Sequence, residues 1–335
     1  MARSLIVLPD DSARPLLTAI GAARKSLRIK MFVFDEARLL NAVIRVSRRG
    51  VKVRVLLNSA RRSGVRENES TRRQLERAGI DVREPGPPID LLHEKSLVVD
   101  DATVFIQSLN WNSRNLTQTR DYAVVTTQRH DVSDVIDAFE ADWHRQTYVP
   151  RDGTHLIWCP GGRDRVCRFI DAAKHRLWIQ NERFQDMIVI DRLIRAARRG
   201  VSVAVMTRAP HTLKSDKLIE GVGGLRILDD AGIAVHKLHG LRLHGKVMVA
   251  DEMAAIVGSI NLSPGSFDRR RELAIEVHGD DILDRVTAVV HHDWKHSRRL
   301  DLSDEGLASD LEDRLEDSER LLALQPRHHG EYKDY

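Results

Sequence analysis

"LLHEKSLVVD" (residues 91–100) places a histidine, a lysine two positions on and an aspartate five beyond that inside an apolar run. On a strand, His93 and Lys95 would share a face, because side chains two apart point the same way. A lone basic pair of this kind also reads as a device that protects a sheet edge. The chain settles the choice by repeating itself. Residues 241–250, "LRLHGKVMVA", with Asp251 restate the spacing as His244, Lys246 and Asp251. Downstream, "IQSLNW" supplies Ser108 and Asn110, and "VGSINL" supplies Ser259 and Asn261. Further on stand Asp121 in "RDYAVV" and Glu272 in "RELAIE". The same polar positions hold one register 151 residues apart, while the residues between them differ freely.

The repeat is larger than the motif. "RKSLRIKMFVFDE" (24–36) matches "KHRLWIQNERFQD" (174–186), and "VIRVSRRGVKVRVLLN" (43–58) matches "LIRAARRGVSVAVMTR" (193–208). "ADWHRQ" and "HDWKHS" set Trp143 against Trp294. In each half a strand leads to an arginine-rich helix that stops at Gly50 or Gly200. A β-branched strand follows, then a second helix ending near Gly79 or Gly232. The motif strand, the Ser/Asn strand, the strand of Asp121 or Glu272 and an amphipathic helix complete the set. Alternation of this kind predicts an α/β fold of two pseudo-symmetric halves. Each half is a mixed β-sheet flanked by helices, with the active site between them. Proline and glycine in "QTYVPRDGTH" (146–155) set the boundary, so the halves span 1–150 and 151–300. Residues 301–335 form an acidic tail, helical over 303–324 and disordered over the last dozen residues.

The composition bounds the function. With 335 residues, 42% apolar and 30% charged, the chain has the make-up of a soluble globular protein with a sizeable core. Cys159 and Cys167 make neither a disulfide framework nor a metal cluster, which suits a reducing compartment. No stretch reaches the roughly 18 apolar residues of a membrane span, and the apolar run at the N-terminus is too short for a signal peptide. These readings predict a cytoplasmic protein, with peripheral contact at an anionic membrane left open. Net charge is +5 over residues 1–150, +6 over 151–300 and −7 over 301–335. A basic body suits an anionic partner, either nucleic acid or an anionic lipid surface.

Lysine offers a compact positive charge, and serine and asparagine offer neutral donors. Together Lys95, Ser108 and Asn110, with Lys246, Ser259 and Asn261, suit the non-bridging oxygens of a phosphate, whose charge rises in a transition state. A histidine can attack phosphorus or protonate a leaving oxygen. Two motifs brought face to face supply both roles. Asp121 or Glu272 can accept the far ring N–H of a histidine and fix its tautomer. Asp100 and Asp251 read as structural acids that tie down backbone or neighbouring loops.

On these residues the sequence resembles the phospholipase D superfamily, whose HxKxxxxD signature stands here twice, as "HEKSLVVD" and "HGKVMVAD". The internal organisation is similar to that of bacterial cardiolipin synthase-like members. The resemblance covers roughly residues 1 to 300. It implies a phosphodiesterase or phosphatidyltransferase that needs no metal or cofactor and works through a phosphohistidine. It also implies a catalytic set of His93, Lys95, Asp121, His244, Lys246 and Glu272, with Ser108, Asn110, Ser259 and Asn261 on the phosphate. By the same resemblance the first motif supplies the nucleophile, so His93 attacks and His244 donates. Two departures concern the first half: Gln107 stands where the second half has Gly258, and Asp121 is one methylene shorter than a glutamate.

Other features read as structure. His291, His292 and His296 are surface histidines of one helix rather than zinc ligands, and His328 and His329 lie in the tail. "PGGRDR" (160–165) is a turn into a helix, not a nucleotide loop. Asn58, Glu182 and Arg208 end strands where ligands collect, and so are rim candidates. For the anionic phosphodiester substrate, a phospholipid is preferred. A nucleic acid is the alternative, and a non-catalytic phosphate binder ranks last.

Overall fold

Gly50 and Gly200 each adopt a φ of 91°, a left-handed conformation that costs glycine little. They end the two arginine-rich helices where the sequence places the stops. The computed structural model describes residues 3–58, 67–87, 89–151, 153–208, 215–279 and 281–309, with backbone alone for 215–220. His328, His329 and most of the acidic tail lie outside the described residues. Within the tail, residues 304–309 are helical.

The first half runs β1 (Arg3–Leu8), α1 (Arg14–Ala22), β2 (Ser26–Met31), α2 (Ala37–Arg48), β3 (Lys52–Leu57), α3 (Glu69–Arg77) and β4 (Asp81–Arg83). It continues through β5 (Leu91–Leu92), β6 (Ser96–Val99), β7 (Thr103–Gln107), α4 (Ser113–Thr117), β8 (Thr119–Thr126) and α5 (Arg129–Trp143). The second half repeats this as β9 (Leu156–Cys159), α6 (Arg163–Ala172), β10 (Arg176–Gln180), α7 (Met187–Arg198), β11 (Ser202–Thr207), α8 (Ser215–Asp230) and β12 (Ala234–Leu238). Then come β13 (Arg242–Leu243), β14 (Lys246–Ala250), β15 (Ala254–Gly258), α9 (Pro264–Asp268), β16 (Arg270–His278), α10 (Asp281–Lys295) and β17 (Ser297–Arg299).

The strands build two mixed sheets of matching order. One runs β1-β8-β7-β6-β2-β3-β4, and the other contains β12-β11-β10-β14-β15-β16, with β9 on β16 and β17 on β12. One face of each sheet packs on its own helices, Leu16, Ile20, Leu39 and Val43 in the first half and Val166, Ile170, Val189 and Leu193 in the second. The other faces meet each other. Val98, Val104, Ile106 and Val124 share one core with Val247, Val249, Val257 and Ile275, closed by Val135 of α5 and Val286 of α10. Strands buried on both faces read as continuous apolar runs, which is why the motif strands look so hydrophobic.

The motif is not one continuous strand. β5 leaves its own half and pairs in parallel with β16, and β13 pairs in parallel with β8. Each chain segment therefore crosses to the opposite sheet just before its histidine, then returns as β6 or β14. At the crossing, the amides of both His93 and Glu94 donate to the Arg271 carbonyl at 2.9 and 2.7 Å, and those of His244 and Gly245 to Arg120 at 3.2 and 2.7 Å. Two residues opposite one make a bulge, which re-aims the side chains. His93 and Lys95 thus lie in a bulged crossing rather than on a strand face. Ser108 and Asn110 likewise follow the end of β7 rather than sitting on it.

Reciprocal buried ion pairs lock the halves together. Arg271 donates to Asp142 at 2.7 and 3.0 Å, and Arg120 to Asp293 at 3.0 Å from two nitrogens. Behind them the symmetry breaks. In the first half buried Lys30 bridges Asp142 at 2.7 Å and Glu94 at 3.0 Å. In the second, Gln180 stands at the Lys30 position and Gly245 at the Glu94 position, and Tyr122 fills the space. A Cβ on Gly245 would lie 2.7 Å from the Tyr122 ring, whose hydroxyl donates to Gln180 at 2.6 Å.

Candidate active site

The crossings bring each histidine to the acid of the other half. His93 Nδ1 lies 2.8 Å from Glu272 Oε2, and His244 Nδ1 lies 2.8 Å from Asp121 Oδ1. The shorter side chain of Asp121 reaches as well as glutamate does. Behind the acids stand the serines. Ser108 Oγ donates to Asp121 at 2.6 Å and accepts from the Tyr122 amide at 2.9 Å. Ser259 Oγ donates to Glu272 at 2.7 Å and accepts from the Leu273 amide at 3.1 Å. In this geometry the serine protons serve the acids, one step back from the phosphate contact expected of them. Lys95 and Lys246 each donate to the carbonyl of the histidine two residues earlier. Asn110 Nδ2 donates to Asn115 Oδ1 at 3.3 Å and Asn261 Nδ2 to Glu182 Oε1 at 3.2 Å.

The motif aspartates stand away from this cluster. Asp100 and Asp251 have positive φ and occupy the first central position of the tight β6–β7 and β14–β15 turns, closed by Ala102 N to Val99 O and Met253 N to Ala250 O. Asp100 accepts from the amides of Arg24, Lys25 and Ser26, and Asp251 from those of Lys174, His175 and Arg176. They pin the start of β2 or β10 to the motif hairpin.

Burial sets the electrostatics. Both carboxylates are held below their usual range: burial opposes ionisation, but the facing histidine, the nearby lysine and the serine hydroxyl outweigh it. Burial lowers His93 to about 3, aided by the charges of Lys95 and Arg270 and opposed by Glu272. Lys95 falls to about 7, through burial first and the like charge of Lys246. Below pH 7 that buried ammonium costs stability, because the folded pKa lies under the unfolded one. The cost fades as pH rises from about 7 towards 10.5. Lys95→Met is therefore expected to raise the melting temperature at pH 6, with a smaller gain at pH 9, while weakening substrate binding sharply. In the unchanged protein, KM for an anionic substrate should climb as pH passes about 7 and Lys95 loses its proton. A flat KM between pH 6 and 9 would contradict this.

The two sides of the site differ where the sequence repeat differs. Phe32 packs on His93 with ring centroids 4.9 Å apart, and Lys95 Nζ lies 5.2 Å from the Phe32 ring centre. Its counterpart is Glu182, 3.4 Å from Lys246, with Arg208 3.7 Å away on the other oxygen. Two rim candidates, Glu182 and Arg208, thus belong to the site itself. Asn58 clamps the crossing: Nδ2 donates to Leu92 O at 2.6 Å and Oδ1 accepts the Leu92 amide at 3.2 Å. The acids differ too, since Asp121 Oδ2 accepts from Asn115 and Thr119 at 3.0 and 2.5 Å, whereas Glu272 Oε1 is buried without a hydrogen-bond partner among the described residues. Phe32, Asn115 and Thr119 were not singled out in the sequence, although the mismatch of Phe32 with Glu182 in the aligned halves was a visible signal.

The remaining motifs keep to structure. Gln107 Oε1 accepts from Trp111 Nε1 at 3.0 Å, so the first half holds a side chain where Gly258 allows none; a Cβ on Gly258 would lie 2.4 Å from Ala274 Cα. "PGGRDR" leads into α6. His291 sits 3.4 Å from Glu252, and among the described residues no three histidine, cysteine or acidic side chains are placed to hold a metal ion.

A family model described as "Cardiolipin synthase, PLD-like domain" matches the chain twice, over residues 16–143 and 166–294. The chain belongs to the phospholipase D-like family. It is thus a phosphodiester-processing enzyme, of a family that acts on phospholipids. Cardiolipin synthase B of Salmonella typhimurium is 24% identical to this phospholipase D-like chain over 341 aligned positions, covering 85% of it and 79% of the relative. Human mitochondrial cardiolipin hydrolase is 31% identical over 164 positions, covering 46% of the chain and 64% of that protein. The crystal structure of phosphatidylserine synthase from Haemophilus influenzae shares the fold, with a TM-score of 0.70 at 12% identity over 96% of this chain and 94% of that one. Among the described residues no helix is long and apolar enough to cross a membrane.

Proposed function

We propose that this chain cleaves a phospholipid phosphodiester in two steps, carrying the phosphatidyl group on His93 and passing it to water or an alcohol. The reading rests on the difference between two otherwise symmetric histidines. His93 lies buried beneath Phe32 and is held neutral, with Nδ1 on Glu272. A proton on Nδ1 leaves the Nε2 lone pair for attack on phosphorus. His244 is flanked by the carboxylates of Asp121 and Glu182, surroundings that suit a proton donor. As the bond from Nε2 to phosphorus forms, the bond to the leaving oxygen breaks, and that oxygen takes the His244 proton. In the second step His244 takes a proton from the incoming hydroxyl, and its oxygen displaces the histidine. Lys95, Lys246, Asn110 and Asn261 supply donors to the non-bridging oxygens. Ser108 and Ser259 act through the acids.

A phospholipid is supported by the relatives, a cardiolipin synthase and a cardiolipin hydrolase. The surface agrees. Met187 and Ile188 open α7 a few residues beyond Glu182 and are 57% and 51% exposed, an apolar pair that suits peripheral contact with a bilayer. The basic body of residues 1–300, net +11, favours a second reading, a nuclease of the same chemistry. Headgroup release from phosphatidylglycerol or cardiolipin vesicles, run beside single-stranded DNA cleavage with chelator in both, separates them. Lipid turnover that persists in chelator is expected, and acid-quenched enzyme should carry phosphate on His93. Phosphate on His244 alone would reverse the roles. Turnover with no phosphohistidine would discard the covalent route.

A further inference from the structure

Glu182 is an acid in a place built for an anion. The donors expected to hold a phosphate oxygen in the second half, Lys246 Nζ and Asn261 Nδ2, converge on one of its oxygens, Oε1, at 3.4 and 3.2 Å. Arg208 Nη1 lies 3.7 Å from the other oxygen. The Glu182 side chain is 11% exposed, and that of Lys246 is 2% exposed. The corresponding position of the first half holds Phe32, which brings no charge to Lys95. Among the described residues, Glu182 thus adds a fixed negative charge to the pocket beyond the two acids that orient the histidines, and it lies against the cation that would receive the substrate.

Resting on the reading of this site as a phosphodiester pocket, we propose that Glu182 determines specificity by charge, admitting a singly charged phosphodiester and disfavouring a doubly charged phosphomonoester. A diester carries one negative charge, whereas a monoester carries about −1.5 to −2 at pH 7. Each charge meets the same carboxylate at short range in a buried site where screening is weak. The repulsion therefore counts roughly twice against the monoester. The consequence suits a transfer enzyme, because a phosphomonoester released by other reactions at the same membrane is kept from occupying Lys246 and Asn261. Burial opposes ionisation of Glu182, but Lys246, His244, Arg183 and Arg208 hold it well below the usual range, so the charge is present at neutral pH.

The test is a titration calorimetry comparison of methyl phosphate with dimethyl phosphate at pH 7. These two probes differ by one methyl group and one charge, and neither measurement depends on turnover. Glu182→Gln keeps the shape and removes the charge. It should tighten dimethyl phosphate about threefold and methyl phosphate about tenfold, since a ligand with twice the charge gains twice the free energy. Glu182→Asp should keep the wild-type preference. Equal tightening of both probes would show a carboxylate that merely competes for the lysine. Weakening of both would show one that only positions Lys246. Either result overturns the proposal. If neither probe binds even the unchanged protein, the phosphodiester reading of the pocket fails instead. Should the glutamine variant not fold, Glu182→Ala carries the same comparison.

Discussion

Replacing either His93 or His244 with alanine is expected to cut turnover by roughly 10⁴-fold or more, because nucleophile and proton donor act as one unit. The two losses should part company when the leaving group is changed. A good leaving group such as p-nitrophenolate departs without a proton, so the His244→Ala enzyme should recover much of its first-step rate on that diester. The His93→Ala enzyme should recover none, since nothing else attacks phosphorus. First-step rates on a natural and an activated substrate, read before the second step limits turnover, decide it: recovery by His93→Ala instead would invert the assignment. Near wild-type turnover from either single variant would remove the shared site altogether. Burst kinetics give a further reading, because His244 also activates the incoming hydroxyl. On the activated substrate its loss should leave a fast first step and a slow second one.

Asp142→Ala is expected to destabilise the fold by about 3–5 kcal/mol, the range seen when one partner of a buried ion pair is removed. Asp142 is 2% exposed and receives both Arg271 and Lys30. Without it, Arg271 loses a paired carboxylate inside the interface, while Lys30 keeps Glu94. Asp293→Ala should cost less, because Arg120 retains the half-exposed Asp10 at 2.9 Å and Gln180 carries no charge. Urea denaturation of the two variants gives the ranking, and equal losses would contradict it. Activity should fall along with stability in Asp142→Ala. The Arg271 side chain grips Asp142 while its carbonyl holds the amides of His93 and Glu94, so slack in the first reaches the second.

The repeat made the fold class and the clustering of the motif residues legible, since polar residues that keep register through a freely varying core have no packing reason to do so. Strand periodicity misled at the motif itself. His93 and Lys95 fit an alternating strand, but the apolar neighbours that suggest one belong to two short strands in different sheets. Nothing local in "LLHEK" marks the crossing, because both sheets offer the same buried environment. The partnership of each histidine with the far acid was equally hidden: Asp121 and Glu272 stood out as acids, but only pairing between the halves determines which ring each one meets. The contact of each serine hydroxyl with an acid was hidden as well, because a hydroxyl that supports a carboxylate and one that binds phosphate look alike in sequence. The most informative positions were the ones where the halves disagree. Lys30 with Glu94 against Gln180 with Gly245, and Phe32 against Glu182, are where two copies of one design took on different duties.

The strand exchange at β5 and β13 makes the halves mutually dependent. Each half withholds from its own histidine the acid that partners it, and lends that acid across the dyad. A lone half would leave the Thr119–Arg120 end of β8 or the Arg270–Arg271 end of β16 unpaired and a histidine lacking its acid, so its least costly companion is a second half, whether covalently attached or not. Tethering both halves in one polypeptide fixes that companionship at a one-to-one ratio and frees each copy to diverge. Each histidine–acid contact is therefore a property of the pairing, inseparable from the act by which the two halves assemble.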